Sequence, residues 1–335
     1  MAKDWSDRRV LVTGGAGFIG SAVVWQLNAL GCEGIVIADF LGSTEKWENL
    51  RALAFEDYVE ADQFMERIGS RPSAFGDFDA VIHLGACSST TERDAGYLIK
   101  NNYGYTRDLA EWALRRASRF VYASSAATYG DGAEGMDDGQ DGLTRLRPLN
   151  MYGYSKHLYD MHAWRSGLLR RIAGLKYFNV FGPNEAHKGD MRSVVSKGFD
   201  QIRATGRLSL FRSHRPDYRD GEQSRDFLYV KDAAAITLHL AGKKGANGLF
   251  NVGSGVPRTW VDLGKAIFSA LGRQPAIDFV DMPEAIRDRY QYHTKADITR
   301  LRKSGFKPQI TSLEEAVKDY VVNYLVPGRH LGDGV

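Results

Sequence analysis

The side chains best suited to proton transfer are Tyr152 and Lys156, which lie four residues apart. On a helix, this spacing places both side chains on one face. The reference pKa of a phenol is about 10, and a fixed cation beside it favours the phenolate by up to about three units. Tyr152 would then carry protons at cellular pH. A packed ring and a solvated lysine have the same spacing, so the pair needs support from other elements.

A hydroxyl group suited to the same chemistry, that of Ser125, follows the fifth predicted strand, 119–124. In an open α/β sheet, ligands bind outside the carboxyl ends of the strands. A glycine-rich, acidic loop, 131–147, separates Ser125 from Pro148, which can open the helix of Tyr152. The loop either covers the crevice or only connects its neighbours.

A glycine-rich turn near the amino terminus predicts a phosphate-binding site. It joins an apolar strand, 9–13, to a helical pattern that runs to about Leu30, and it has glycine at positions 14, 17 and 20. These glycines allow a tight turn, close approach of backbone N–H groups to a pyrophosphate and close packing of helix on strand. The order of strand, turn and helix favours dinucleotide binding over a purely structural turn.

Two residues after the second predicted strand, 34–39, bear on the choice of dinucleotide. The strand ends in Asp39, 19 residues after Gly20, where a carboxylate would meet the adenosine ribose. An acid at a strand end is also an ordinary loop residue or helix cap. Lys46 points instead to NADP, because its ammonium could neutralise the 2′-phosphate. The two signals oppose each other.

The fourth predicted strand, 79–84, is followed by a run of small and hydroxyl residues, 85–92. Such residues line the ligand crevice at the end of a parallel strand, but they equally well cap a helix. His83 lies inside the strand, where we expect a hydrogen-bonded core histidine rather than a ligand. Asn101 and Asn102 fall within the next predicted helix, where amides usually face solvent or serve packing.

The alternation of strands and helices predicts an α/β fold with a doubly wound parallel sheet. Beyond residue 183 the alternation loosens into a smaller C-terminal α/β domain. We expect residues 1–183 to form the dinucleotide-binding domain, with parts of about 226–260 returning to it, and residues 184–335 to form most of the substrate-binding domain. Further strands are expected near 54–59, 174–178, 208–211, 226–230 and 276–280, and helices near 194–205, 233–242, 260–271 and 313–325.

The composition excludes several classes of protein. The chain has 335 residues with 43% apolar and 25% charged residues, which is typical of globular proteins. Its 44 basic and 41 acidic residues are interspersed, so we expect no nucleic-acid partner. A short, charged amino terminus and the lack of a long apolar run predict neither a signal peptide nor a membrane association. Two cysteines, Cys32 and Cys87, predict no disulfide framework, no metal site and a cytoplasmic location.

In this order, the glycine turn, Ser125, Tyr152 with Lys156, and Asn179-x-x-Gly182-Pro183 resemble the extended short-chain dehydrogenase/reductases. That family has a Rossmann-type fold and acts on nucleotide sugars, and the resemblance covers nearly the whole chain. The segments 85–92, 122–130, 148–156 and 187–189 resemble more narrowly the members that epimerise C6 of an ADP-linked heptose.

The resemblance implies an NADP-dependent isomerase, with NAD as the other choice of cofactor, that makes a lipopolysaccharide core precursor. The C6 alcohol would be oxidised transiently to a ketone and reduced again on its opposite face. Since the two epimeric alcohols present their protons from different directions, one base does not suffice. The resemblance implies Tyr152 and Lys188 as the two acid/base residues, Lys156 as the residue that holds the nicotinamide ribose and tunes Tyr152, and Ser125 as a hydrogen-bond donor to the reacting oxygen.

The resemblance also implies the residues that would contact cofactor and substrate. The cofactor contacts would be Gly14, Gly17, Phe18, Ile19, Gly20, Asp39, Phe40, Lys46, Leu84, Gly85, Ala86, Cys87, Ser88, Asn101, Lys156 and Val180. The substrate contacts would be Ser88, Ser125, Asn179, His187, Asp190, Lys197, Phe211, Ser213, Arg225 and Tyr290. The guanidinium of Arg225 suits a diphosphate, because its fork can donate two parallel hydrogen bonds. An ordinary Arg-Asp surface pair is the other interpretation of that position.

The chain departs from the family at four places. Asp190 stands where members commonly have serine, Lys197 where they have histidine and Ala61 where some have a basic residue, and the segment 211–223 is longer. These departures leave the details of sugar and diphosphate recognition open.

Three other functions share some of these sequence features. An enzyme like a UDP-hexose 4-epimerase is the nearest alternative, and Lys188 distinguishes the two. A 4,6-dehydratase is disfavoured because Ala126 and Ala127 stand where those enzymes have an acidic pair. A non-catalytic redox-sensing module would not need Ser125, Tyr152 and both lysines together. Since the family is oligomeric, we also expect a homo-oligomer.

Overall fold

The computed structural model describes residues 4–287 and 290–334. Within these residues, twelve strands form three sheets. The strands are β1 Val10–Thr13, β2 Ile35–Asp39, β3 Asp57–Glu60, β4 Ala80–His83, β5 Arg119–Ser125, β6 Ala173–Tyr177, β7 Asn179–Phe181, β8 Leu208–Phe211, β9 Ser224–Tyr229, β10 Gly248–Val252, β11 Pro257–Thr259 and β12 Ile277–Val280.

Helices connect most of these strands, together with shorter 3₁₀ turns and two π-helical stretches at Ile99–Gly104 and Val321–Leu325. The α-helices are α1 Phe18–Ala29, α2 Ala61–Ser70, α3 Ala95–Leu98, α4 Tyr105–Arg115, α5 Met151–Arg165, α6 Val194–Thr205, α7 Val230–Gly242, α8 Trp260–Ala270, α9 Glu284–Arg287, α10 Thr299–Lys303 and α11 Leu313–Tyr320.

The central sheet has seven strands in the order β10-β6-β5-β4-β1-β2-β3, and all of them pair in parallel. The strand β1 shows why the sheet is covered on both faces. Val10 and Val12 belong to one apolar core and Leu11 to the other, because successive side chains of a strand point to opposite faces. Helices on both faces make this a Rossmann-type doubly wound fold, and the predicted fold class is confirmed.

One strand of this sheet was missed by the sequence prediction. The strand β10 pairs with β6 at the edge of the sheet, while the preceding helix α7 packs against α1. The run Gly-Leu-Phe-Asn-Val is short and contains Asn251, so it has little strand signal of its own. Asn251 is buried and accepts a hydrogen bond from the hydroxyl of Tyr129 at 2.6 Å. Residues 230–252 therefore lie with the nucleotide-binding half.

The remaining strands form two small sheets beside the carboxyl edge of the large one. The first has the order β11-β9-β7, and the second pairs β8 with β12 in parallel. Helices α6, α8 and α11 pack around them. Residues near 333 return to the other half, because Arg51 pairs with Asp333 at 2.7 Å.

The helix of the tyrosine and lysine begins later than the sequence predicts. Its N-cap is Asn150, whose Oδ1 accepts from Gly153 N at 2.8 Å, so Pro148 lies before the helix and does not open it. The side chain of a capping residue accepts a hydrogen bond from a free N–H group at the start of a helix. Proline is tolerated in the first turn but offers no such acceptor. In the described part of the chain, no helix is both long and apolar enough to span a membrane.

The acidic loop 131–147 is attached to the edge of the sheet. Asp138 is buried and its Oδ2 accepts from Asn251 N at 2.8 Å. The carbonyl of Met136 accepts from Asn251 Nδ2 at 2.8 Å. These bonds pair the edge strand β10 with the loop, which suits a connection better than a free lid.

Candidate active site

The carboxyl ends of β1 and β4, together with α5, border one cleft of about 530 Å³. Predicted residues from both halves of the chain line it. They are Gly14, Gly17, Phe18, Ile19, Gly20, Asp39, Phe40, Lys46, Leu84, Gly85, Ala86, Ser88, Tyr152, Lys156, His187 and Lys188. A smaller adjoining cavity of about 120 Å³ adds Cys87 and Asn101, and also Ala61.

The turn at the head of the cleft fits a dinucleotide phosphate. Gly14 has φ of 69°, a left-handed conformation that favours glycine. A Cβ on Gly20 would lie 1.9 Å from the carbonyl oxygen of Gly14, so only glycine lets α1 approach the turn this closely. Gly17 is the N-cap of α1 and directs the first N–H groups of that helix toward the cleft. Backbone N–H groups at a helix start favour an anion there.

Asp39 and Lys46 form an ion pair, with Lys46 Nζ 2.5 Å from Asp39 Oδ1. Lys46 Nζ also donates to Phe40 O at 2.9 Å. The other carboxylate oxygen of Asp39 accepts from Ala16 N at 2.9 Å and holds the glycine turn. The two residues that gave opposing signals in the sequence therefore form one unit at the cleft.

Lys156 is buried and its Nζ donates to Ala123 O at 2.9 Å. Burial lowers the pKa of Lys156 to about 8, and the charge of Asp160, one turn further along α5, opposes this effect. Asp160 is itself fully buried, where it accepts from Ser124 Oγ at 2.7 Å and pairs with Lys176 at 2.8 Å. These contacts fasten α5 to β5 and β6 and so fix the position of Lys156.

Tyr152 lies beside Ser125, which is the last residue of β5 and which the sequence places just after the predicted strand 119–124. Burial raises the pKa of Tyr152, while its hydrogen bond with Ser125 opposes the increase. The sequence predicts that Lys156 lowers this pKa, and the raised pKa in the structure corrects that prediction. The Lys156 ammonium is instead directed at the backbone carbonyl of Ala123, and the loss of hydration on burial is the largest influence on the pKa of Tyr152. The tyrosine is therefore held as a neutral phenol.

Lys188 reaches the same cleft from a short turn, Ala186–Met191. Its Nζ lies 4.9 Å from the centroid of the Phe18 ring. Burial lowers the pKa of Lys188, with the charge of Glu185 acting against it and that of Lys197 adding to it. His187 is held by Asn49, 3.2 Å from its Nδ1, and burial lowers the pKa of His187 to about 4. A second amine thus joins Tyr152 in one cleft.

Arg225 is a buried cation, 6% exposed, that lies between two aromatic rings. Its guanidinium carbon is 4.8 Å from the ring centroid of Tyr290 and 5.6 Å from that of Trp260. Its Nη1 donates to Ser224 O at 2.9 Å, and in residues 4–287 and 290–334 no carboxylate pairs with it. Burial lowers the pKa of Arg225. An unbalanced buried cation of this kind favours an anionic ligand.

A second cavity of about 340 Å³ lies beside this cation and is lined by Tyr290. Side chains of the acidic loop and of the longer segment 211–223 also line it. Its other residues are Asp131, Gly132, Gly135, Met136, Arg215, Tyr218, Tyr292, His293 and Lys295. The segment 211–223, which is longer than in the family, therefore borders a cavity.

Several predicted contacts lie outside these cavities. Val180 and Asn179 are on β7, and Phe211 ends β8. Three more are held in surface contacts, with Lys197 Nζ donating to Asp190 O at 3.2 Å and Ser213 N donating to Asp220 Oδ1 at 2.9 Å. Ser125 and Arg225, described above, do not line these cavities either. The structure does not gather all proposed substrate residues around one cavity.

The sequence interpretation missed Asn102, which is fully buried. Its Oδ1 accepts from Cys87 N at 2.8 Å, and its Nδ2 donates to Ser155 Oγ at 2.9 Å. Ser155 in turn donates to Tyr152 O at 2.7 Å. Asn102 thus joins the loop after β4 to α5. It lies in the π-helical stretch, a feature that is common at functional sites but that the sequence did not reveal.

His83 is a satisfied core histidine, as expected. Its Nδ1 lies 2.6 Å from Thr13 Oγ1 and its Nε2 lies 2.9 Å from Thr106 Oγ1. Burial lowers the pKa of His83 to about 3. Within the described ranges, no group of three or more histidine, cysteine or acidic side chains is placed to hold a metal ion.

Comparison with solved structures supports this architecture. The crystal structure of Helicobacter pylori ADP-L-glycero-D-manno-heptose-6-epimerase has a TM-score of 0.78 and 26% identity, over 96% of this chain and 98% of that chain. A UDP-N-acetylglucosamine 4-epimerase from Methanobrevibacter ruminantium M1, in complex with UDP-N-acetylmuramic acid, has a TM-score of 0.78 and 27% identity, over 96% of this chain and 99% of that chain. The fold is therefore shared by epimerases of different sugars.

Sequence comparison is more specific. Residues 10–253 match the model of the NAD dependent epimerase/dehydratase family. A protein of Nitratidesulfovibrio vulgaris (strain DP4), named ADP-L-glycero-D-manno-heptose-6-epimerase, is 53% identical over 317 residues, which are 94% of this chain and 97% of that protein. Both matches extend over most of the chain, and the family match spans the glycine turn, Ser125, Tyr152 and Lys156. The chain belongs to the NAD dependent epimerase/dehydratase family.

Proposed function

We propose that this protein inverts C6 of the heptose in an ADP-linked heptose, through transient oxidation of the C6 alcohol to a ketone. The observation that carries the proposal is the convergence of two proton carriers, Tyr152 and Lys188, on one cleft. The heptose epimerase of N. vulgaris, 53% identical to this chain, supports the same substrate.

The two residues divide the proton transfers between them. Oxidation of the alcohol needs a base that takes the hydroxyl proton, and reduction of the ketone on its other face needs an acid that returns one. If Lys188 is the base for one epimer, Tyr152 is the acid, and the roles exchange for the other epimer. The neutral phenol and the lowered pKa of Lys188 suit the first of these two states.

A nicotinamide dinucleotide, when bound in this cleft, supplies the acceptor and donor of hydride for C6. The turn at Gly14 and Gly17 would hold its pyrophosphate, and Lys156 would hold the nicotinamide ribose. We propose NADP as the preferred form, because Lys46 can turn from Asp39 to a 2′-phosphate. NAD is the alternative, since Asp39 can accept from a ribose hydroxyl.

The substrate diphosphate would bind at Arg225. This guanidinium is desolvated and has no acidic partner in the described residues, so a diphosphate would neutralise a charge that the fold already holds. The rings of Tyr290 and Trp260 keep the fork in place.

A UDP-hexose 4-epimerase activity is the second candidate, since a 4-epimerase of M. ruminantium has the same fold. Lys188 separates the two functions, because we propose that inversion of the C6 alcohol of the heptose requires a second acid/base residue.

We further propose a cytoplasmic enzyme that supplies a lipopolysaccharide precursor, in keeping with the unpaired thiols of Cys32 and Cys87. The homo-oligomer stays a prediction.

The experiment is to incubate the protein with NADP and ADP-D-glycero-D-manno-heptose and to resolve the C6 epimers by chromatography or NMR. We expect interconversion to equilibrium, and none with UDP-glucose. Lys188→Met should lower the rate by roughly 10²- to 10⁴-fold, the usual contribution of an acid/base residue, with NADPH binding retained. Lys265→Met, at an exposed lysine of α8, is the matched control. No interconversion by protein with bound cofactor would overturn the proposal.

A further inference from the structure

Glu185 precedes the turn that carries Lys188 and is 0% exposed. Its backbone oxygen accepts from Lys188 N at 3.0 Å. Its side chain reaches past the turn to Ser193, where Oε2 accepts from the backbone N and Oε1 from Oγ, both at 2.6 Å. One residue therefore ties down both ends of Ala186–Met191.

The hydrogen bonds of Glu185 indicate a carboxylate. The backbone N–H and the hydroxyl of Ser193 donate to its two oxygens, and the hydroxyl of Tyr320 on α11 is a further partner. An ionised carboxylate only accepts, which matches this set of donors. Burial raises the pKa of Glu185, and Lys188 is the strongest influence in the opposite direction.

We propose that Glu185 is the positioning residue for Lys188: it holds the turn at the edge of the cleft and keeps a compensating negative charge near the half-buried Lys188 ammonium. The proposal rests on the proposed function, in which Lys188 is an acid/base residue. Glu185 itself does not line the cleft, so it acts through Lys188 and not on the substrate.

Other charged groups around the turn do not provide this compensation. Lys197 on α6 is a cation and opposes the protonation of Lys188. Arg192 pairs with Asp200 at 2.9 Å and so is already balanced. Asp190 presents its backbone oxygen to Lys197 at 3.2 Å. Glu185 is the group whose charge raises the pKa of Lys188.

A direct consequence concerns the pH dependence of the enzyme. The active form of the pair has one acid and one base, so Tyr152 and Lys188 together carry one proton instead of two. Activity therefore rises with pH as Lys188 loses its proton. Without the charge of Glu185, Lys188 releases that proton more easily. The acidic limb of the kcat/KM profile should therefore move to lower pH in Glu185→Gln, while the alkaline limb stays in place.

The test measures Lys188 directly in the protein without substrate. Pulse acetylation at a series of pH values, quantified for the Lys188 peptide by mass spectrometry, gives the pH at which this amine becomes reactive, with Lys265 as an internal reference. We expect Glu185→Gln to move this pH down by about one unit or more. The kcat/KM profile for ADP-linked heptose should move in the same direction.

Two further variants separate charge from position. Glu185→Asp and Ser193→Ala both retain the carboxylate but weaken the hydrogen bonds that hold the turn. Each should lower kcat at least tenfold without lowering the pH at which Lys188 becomes reactive.

Unchanged acetylation in a folded Glu185→Gln protein would overturn the charge role. Full activity of Ser193→Ala and Glu185→Asp would overturn the positioning role. Lack of epimerase activity in the unaltered protein refutes the proposed function alone, because the acetylation result still reports on Glu185.

Discussion

Lys46 Nζ lies 2.5 Å from Asp39 Oδ1, so the cation expected to select NADP is already bound to the carboxylate expected to select NAD. Both side chains line the cleft. A 2′-phosphate would compete with Asp39 for Lys46, whereas a 2′-hydroxyl would leave the pair intact. We therefore expect discrimination between the cofactors to depend on the balance within this ion pair.

Replacement of Lys46 tests this relationship. Lys46→Ala removes the ammonium and a charge-assisted hydrogen bond worth about 1.5–3 kcal/mol, so the Kd for NADPH should rise roughly 10- to 100-fold. The Kd for NADH should change less than about threefold, because its ribose hydroxyl needs only Asp39. Fluorescence titration of both nucleotides measures the effect. Equal losses for NADPH and NADH would contradict the assignment.

Tyr152→Phe tests the first acid/base residue. Loss of the hydroxyl should lower kcat by roughly 10²- to 10⁴-fold while the fold is retained. Tyr154→Phe is a matched control, because Tyr154 is on the same helix but 46% exposed. Since burial raises the pKa of Tyr152, ultraviolet titration of the protein minus that of Tyr152→Phe should show this phenol ionising later than free tyrosine. A Tyr152→Phe enzyme with normal kcat would refute the role.

Gly20→Ala tests the fit of the turn. The added Cβ would lie 1.9 Å from Gly14 O, so the turn must open or the helix must move. We expect a loss of stability of about 1–3 kcal/mol and at least a tenfold weaker binding of NADPH. Gly69→Ala on α2 is the control, since nothing lies within 4 Å of its added Cβ. That variant should be stabilised by about 0.5–1 kcal/mol, as chemical unfolding will measure.

Asp138 makes stability depend on pH. Burial raises its pKa from 3.8 to about 6. Because the folded pKa is above the unfolded one, the contribution of this group is fully present below about pH 4 and is lost as pH rises through 6. At pH 7.5, Asp138→Asn should therefore be more stable than the unaltered protein by up to about 3 kcal/mol.

Urea unfolding of both proteins at several pH values checks this prediction. The amide of Asp138→Asn still offers an oxygen to Asn251 N, so the bond that holds the loop is retained. The difference between the two free energies of unfolding should vanish near pH 4 and grow toward neutral pH. A difference that does not vary with pH would contradict a raised pKa for Asp138.

The local sequence determined the elements whose signals are short in range. The apolar run and glycine turn at β1 and the four-residue spacing of Tyr152 and Lys156 each depend on neighbouring residues, and the structure has them where predicted. Lys188 became a candidate only through the resemblance of a three-residue motif to a known family. Its own surroundings in the sequence gave no signal.

Tertiary structure decided what distant segments do to one another. The pairing of Asp39 with Lys46, the raised pKa of Tyr152 and the burial of Glu185 depend on which groups exclude water or meet in space. The strand β10 was missed for the same reason, since its pairing with β6 stabilises a run with weak strand propensity. Sequence placed the residues on their elements, and packing set the charge that each of them carries, because the free energy of an ion depends on its surroundings.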